Sequence, residues 1–128
     1  MQDAWRQDII PSMSETEIVK SILHAVNHYG YFWRNNTGAS KIESSHGTRF
    51  IRFGLPGASD IVGVCEGRFV AIEVKSKRGK QSEQQKLFEQ YITAHGGCYI
   101  LAYNVDDALK VLLTIKQGKT HEQFTQRS

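Results

Sequence analysis

The stretch DIVGVCEGRFVAIEVKSK, residues 60–77, decides the fold: two apolar runs flank Glu66-Gly67, a pair suited to a two-residue β-hairpin turn. With the turn centred there, Cys65 faces Arg68, Val64 faces Phe69, Val62 faces Ala71, and Asp60 faces Glu73. A bulge at Gly67 would shift the pairing by one residue and still leave Asp60 close to Glu73. Directly opposed residues have Cβ atoms roughly 4.5–5.5 Å apart, and two like charges at that distance destabilise a sheet unless something positive joins them. Lys75 is that group. Side chains alternate along a strand, so Lys75 shares a face with Glu73 while Val70, Ile72 and Val74 point the other way, into a core. A surface ion pair of Glu73 with Lys75, worth little, is the alternative explanation for any one of these residues. Three of them brought to one patch by a hairpin fit better as hard oxygen ligands with an attendant cation, which suits Mg²⁺ or Mn²⁺ rather than zinc.

Outward from the hairpin, SETEIVKSILHAVNHYG (14–30) predicts a first helix, with Ser14 as N-cap, Glu17 three residues on, and Gly30 as its stop. YFWRNN and TRFIRF predict strands, separated by the polar excursion TGASKIESSHG (37–47), which is long for a loop. After the basic loop SKRGKQ, Ser82 caps a helix with Leu87, Phe88, Tyr91 and Ile92 as its apolar stripe, ended at Gly96 or Gly97. CYILAY is an apolar strand, and DDALKVLLTIKQG is a third helix with Asp106 as N-cap and Gly118 as its stop. The order is α-β-β-β-α-β-α. A helical crossover joins EVK to CYILAY, so these strands should run parallel in a mixed sheet flanked by helices, an α/β fold.

A chain of 128 residues, 40% hydrophobic, has room for one core. The expected layout is an N-terminal segment over 1–13, a domain over 14–117 and a polar tail over 118–128. The formal charge of +3 permits a polyanionic partner without demanding one. No apolar run approaches the ~20 residues of a membrane span, and the first residues lack the pattern of a secretory signal, which predicts a soluble, cytoplasmic protein. Cys65 and Cys98 lie in strand-like apolar runs and are expected to be small buried thiols without chemistry. His24, His28, His95 and His121 are expected on surfaces or helix faces rather than as ligands.

GASDIVGV, the hairpin and AIEVKSK together resemble the Asp, then Glu-x-Lys signature of the PD-(D/E)xK nuclease superfamily, with Asp60, Glu73 and Lys75 in the signature positions. Ala58-Ser59 stands before Asp60 where many members have proline; Pro56 stands earlier. RNNTG (34–38), GLPGASDIVG, EVKSKRGKQSEQQ and GGCYILAYNVDDAL narrow the likeness to the VRR-NUC family, over about residues 14–117. The resemblance implies a restriction-endonuclease-like core and a metal-dependent endodeoxyribonuclease leaving a 5′-phosphate and a 3′-hydroxyl. It implies Asp60, Glu73 and the backbone carbonyl of Val74 as metal ligands, with Lys75 orienting or polarising the attacking water. It also implies roles for Glu17 in the first helix, at the metal, and for Gln85 at the start of the second. Both have a structural alternative, because each lies three residues after a capping serine and fits a capping box.

Basic and polar residues around the patch, Arg34, Asn35, Lys41, His46, Arg49, Arg52, Lys77, Arg78 and Lys80, are candidate contacts to DNA phosphates, which position nucleic acid without reading its sequence. Stand-alone members of the family are associated with bacterial and phage genomes. Their likeness to Holliday-junction resolvases suggests a homodimer cutting branched DNA, since symmetric cleavage of two strands by one-site subunits needs a two-fold axis. A monomeric nickase or flap or single-strand nuclease, an inactive nucleic-acid-binding module, and a metal-free structural protein with a charged sheet edge are the alternatives.

Overall fold

A computed structural model of the chain describes residues 13–36 and 38–118, with the backbone alone for 38–42 and 51–53. The expected N-terminal segment, apart from Met13, and the tail, apart from Gly118, lie outside the described residues, as does His121. The elements are α1 (Glu15–Val26), β1 (Tyr31–Arg34), β2 (Gly38–Ser44), β3 (Gly47–Phe53), β4 (Ile61–Cys65), β5 (Arg68–Val74), α2 (Glu83–Ala94), β6 (Cys98–Ala102) and α3 (Val105–Lys116).

The hairpin forms in the expected register, with Cys65 opposite Arg68, Val64 opposite Phe69 and Ile61 opposite Ile72. Glu66 and Gly67 both have positive φ, 52° and 76°, the combination a two-residue turn needs to match the twist of the strands it joins. β4 and β5 are the centre of a four-stranded sheet ordered β1-β4-β5-β6, antiparallel except for the β5–β6 pair, which is parallel because α2 carries the chain across.

Alternation divides the sheet into two faces. Phe32, Ile61, Val70, Ile72, Val74 and Ile100 pack on one side against Ile18, Ile22 and Val26 of α1 and Ala108, Leu112 and Ile115 of α3. On the other side Val62, Ala71 and Tyr99 meet Phe88 of α2, with Ile92 partly buried beside them. The apolar stripe of α2 is therefore narrower than its sequence suggests: Leu87 and Tyr91 are exposed, because only residues four apart, Phe88 and Ile92, reach the sheet. α2 sits over β6 and reaches Ala71 and Val62, but leaves Tyr31, Trp33, Val64 and Phe69 on that face exposed.

Three local readings need correction. The excursion after β1 is a strand: β2 pairs with β3 over seven residue pairs as a separate two-stranded sheet, so the order is α-β-β-β-β-β-α-β-α, with five strands before α2 in place of the three of the expected α-β-β-β-α-β-α. Its turn is held by Ser44, whose Oγ accepts from the His46 N–H (3.2 Å) and donates to the Gly47 carbonyl (3.2 Å). α1 stops at Val26, short of Gly30, because the Asn27 side chain exchanges hydrogen bonds with the Phe32 backbone (2.8 and 3.2 Å) and also donates to the Leu23 carbonyl, tying the helix end to β1. The N-cap of α3 is Asn104 rather than Asp106: its Oδ1 accepts from the Asp107 N–H at 2.8 Å, while Asp107 returns a carboxylate to the Tyr103 N–H. No described helix is long and apolar enough to cross a membrane.

Candidate active site

Asp60 ends the chain's return from the β2–β3 hairpin, one residue before β4, and Glu73 is the penultimate residue of β5. Two hydrogen bonds extend the ladder to this end of the sheet. The Asn35 N–H donates to the Asp60 carbonyl (2.8 Å), continuing the β1–β4 pairing, and the Val74 N–H donates to Asp60 Oδ2 (2.8 Å), fixing the Asp60 carboxylate across the mouth of β5. Asn35 adds a side-chain bond from Nδ2 to the Ser59 carbonyl (3.2 Å), so it braces the strand that carries Asp60. From Val74 the backbone N–H reaches the site, at Asp60 Oδ2.

Glu73 is only 4% exposed. Lys75 Nζ lies 3.7 Å from its Oε2, and Gln85 Nε2 donates to the same oxygen at 2.9 Å. Its other oxygen, Oε1, is buried with no hydrogen-bond partner. Burial pushes the Glu73 carboxyl up to about 8; the Asp60 charge beside it acts in the same direction, Lys75 opposes, and a hydrogen bond with Asp60 and the charge of Glu15 add to the rise. An isolated protein would not gain stability from such an arrangement, since a buried carboxylate next to a second one costs free energy unless it is neutralised. An orphaned oxygen, and a carboxyl whose ionisation is opposed first by burial and then by the charge of Asp60, are what a divalent cation would relieve, and the all-oxygen donor set fits Mg²⁺ or Mn²⁺. Among the described residues no group of three or more His, Cys, Asp or Glu side chains is placed to hold a metal ion, so the carboxylates on offer here are Asp60 and Glu73.

Gln85 closes the capping box and also reaches Glu73. Its Oε1 accepts from the Ser82 N–H (2.8 Å) in a complete capping box, and that bond identifies the other terminal atom as the amide nitrogen, which points at Glu73. Gly57 sets the position of this helix start. It has φ +81°, and a Cβ there would lie 2.4 Å from the Gln84 carbonyl oxygen, so the loop before Asp60 rests directly on the first turn of α2.

The two acids of the α1 first turn divide differently. Glu17 Oε1 accepts from the Ser14 N–H (2.9 Å) and hydroxyl (3.2 Å), closing a capping box. Glu15, which the motif did not single out, is the one that reaches the sheet mouth: its Oε2 accepts from both the N–H and the Oγ of Ser76 (3.3 Å each), and its charge is felt at Glu73. The family resemblance points to Glu17, for which capping is the structural alternative, and no local signal marks Glu15, whose partner is 61 residues away.

Of the basic candidates, Lys77, Arg78 and Lys80 are exposed on the loop leaving β5. That loop has a fixed shape: Gly79 N–H donates to the Ser76 carbonyl (2.9 Å), Arg78 adopts φ 70°, and the Tyr103 hydroxyl donates to the Gly79 carbonyl (2.9 Å). Arg34 is exposed at the end of β1 beside the site, and Arg49 and His46 are exposed on the β2–β3 hairpin, whose two ends are anchored at the site by Asn35 and Asp60. The side chains of Lys41 and Arg52 lie outside the described residues. Among the described residues no carboxylate pairs with Arg34, Arg49, Lys77, Arg78 or Lys80. Both cysteines are free and buried, and burial raises the thiols, Cys98 to about 11, which leaves them unreactive. The chain matches no protein-family model, and no curated protein matches it.

Proposed function

We propose that the chain is a divalent-metal-dependent endodeoxyribonuclease with a restriction-endonuclease-like core, structure-selective on branched DNA such as four-way junctions and acting as a homodimer. The observation that carries this reading is the convergence of Asp60, Glu73 and Lys75 at one sheet mouth, with Glu73 buried and its Oε1 unpartnered. The parallel β5–β6 pair, joined by α2 and ending at that mouth, is the arrangement such a core requires. Branched DNA and the dimer rest on the family resemblance.

Asp60 and Glu73 would hold Mg²⁺ or Mn²⁺, which when bound supplies a water of lowered pKa and a Lewis acid for the phosphoryl oxygens. The chain's own residues set the stage for that chemistry. The Val74 N–H fixes one oxygen of Asp60 and Gln85 fixes one oxygen of Glu73, which leaves Glu73 Oε1 without a protein partner. Lys75 keeps a positive charge 3.7 Å from Glu73, where it can orient a water and stabilise charge growing on the phosphate. The exposed cations of the Lys77–Lys80 loop and Arg34 attract the backbone on either side.

The test offers the protein supercoiled plasmid, a synthetic four-way junction, a flap and single strands with Mg²⁺, Mn²⁺ or chelator, and follows its mass by sizing chromatography. Cleavage that needs the ion and disappears in Glu73→Ala and Lys75→Ala supports the assignment. Equal cleavage by those variants sinks it, and a strictly monomeric profile with junction bound removes the dimer.

A further inference from the structure

The register of the sheet makes three successive rungs on the face that carries the carboxylates. Asn35, Asp60 and Glu73 form the first; Trp33, Val62 and Ala71 form the second; Tyr31, Val64 and Phe69 form the third. α2 and Tyr99 cover Val62 and Ala71, but the β1 side of the face is open: Trp33 is 47% exposed, Tyr31 74%, Val64 43% and Phe69 39%. The Tyr31 and Trp33 rings are neighbours, with centroids 5.9 Å apart and planes inclined at 51°. An apolar, aromatic strip therefore leads directly away from the acidic pair along the face that carries Trp33 and Tyr31.

We propose that Trp33 and Tyr31 are a stacking platform for unpaired nucleotides flanking the scissile phosphate, so that the substrate presents a single-stranded segment at the cleavage point. This proposal rests on the nuclease reading of the adjoining carboxylates. Spacing favours unpaired over paired DNA. Rungs two residues apart lie about 6.6–6.8 Å along a strand, twice the ~3.4 Å step between bases in one strand of a duplex, so bases seated on successive rungs must be unstacked from each other. Aromatic rings accept any base by its π-face, so such a platform is tolerant of sequence.

The test uses full-length protein carrying Trp5→Phe, which leaves Trp33 as the chain's sole tryptophan. In chelator, a single-stranded oligothymidylate is expected to quench the Trp33 emission, and a blunt duplex of equal length is not. Trp33→Ala and Tyr31→Ala are each expected to weaken single-strand binding by about 5- to 100-fold with duplex binding unchanged, and Trp33→Phe to restore most of it. Single-strand affinity unchanged in Trp33→Ala overturns the platform, as does equal loss for both probes, or a fall in oligomeric mass that marks the strip as a contact between copies. Because binding is read without metal, a platform that behaves as expected in a protein that cleaves nothing leaves the platform standing and removes only the nuclease reading. Metal-dependent cleavage with Trp33→Ala indistinguishable in binding does the reverse.

Discussion

Gln85 donates from Nε2 to Glu73 Oε2 at 2.9 Å while its Oε1 accepts from the Ser82 N–H at 2.8 Å, so one side chain both starts a helix and holds the buried Glu73 carboxylate. The two tasks separate by substitution. Ser82→Ala removes the hydroxyl that caps the Gln85 N–H but keeps the backbone N–H that anchors the Gln85 amide, so it should cost about 1 kcal/mol of stability and leave cleavage near wild type. Gln85→Glu preserves the capping box and replaces the donor with a negative charge beside Glu73. Its melting temperature should stay close to wild type while cleavage or Mn²⁺ affinity falls about 10- to 100-fold, the usual cost of disturbing a group that orients a ligand. Full activity in Gln85→Glu would confine Gln85 to capping.

The raised Glu73 carboxyl makes metal-free stability depend on pH. Its folded value, about 8, lies above the ordinary 4.5, so between those values the folded state binds a proton that the unfolded state releases. The stabilisation is complete below about pH 4.5 and is lost as pH rises through 8, with a slope of up to about 1.4 kcal/mol per pH unit from this group. Chemical denaturation in chelator at pH 6 and pH 8.5 should show the decline. Glu73→Gln should flatten it, and Mn²⁺ should stabilise the wild type most at the higher pH, where the ion no longer competes with a proton. A slope identical in Glu73→Gln would place the pH dependence elsewhere.

The hairpin and the Asp60–Glu73 pairing were legible because turn chemistry at Glu66-Gly67 fixes the register, and register fixes which residues face each other. The parallel β5–β6 pair followed from connectivity alone. What escaped depends on distant contacts. Leu87 and Tyr91 look like core on a helical wheel, but α2 is laid across only half a sheet, and nothing in its own sequence reports that. Residues 38–44 read as loop because their partner strand supplies the hydrogen bonds that make them a strand. Asn104 and Asp106 are both good caps, and the choice fell to the one from which β6 delivers the chain into α3.

Glu15 and Glu17 make a second pair of separable roles. Glu17→Gln retains a capping-box residue and should change stability by no more than a few tenths of a kcal/mol, with Mn²⁺ binding intact. Glu15→Gln withdraws a negative charge acting on Glu73 and weakens the hold on Ser76, so calorimetry should show weaker Mn²⁺ binding, and the loop that carries Lys77 should become more susceptible to protease. The opposite ranking, with Glu17→Gln impairing metal binding and Glu15→Gln silent, would return the first-helix role to the residue that the family resemblance points to.

Gly57 links the acid-bearing loop to the helix that holds Glu73, and its replacement should injure activity and stability together. In Gly57→Ala the new methyl meets the Gln84 carbonyl oxygen at 2.4 Å and the backbone keeps φ +81°, where an L-residue is strained. Relief requires α2 to move at its first turn, and Gln84 precedes the residue that holds Glu73 Oε2. The variant is expected to lose about 1–3 kcal/mol. At a temperature where it is still folded it should cleave more slowly than Ser82→Ala, although both disturb the same helix start. The comparison isolates position from capping: Ser82→Ala loosens the turn but leaves the Gln85 anchor, whereas Gly57→Ala displaces the anchor itself. If both cleave at equal rates, the placement of α2 against the loop before Asp60 matters only for folding.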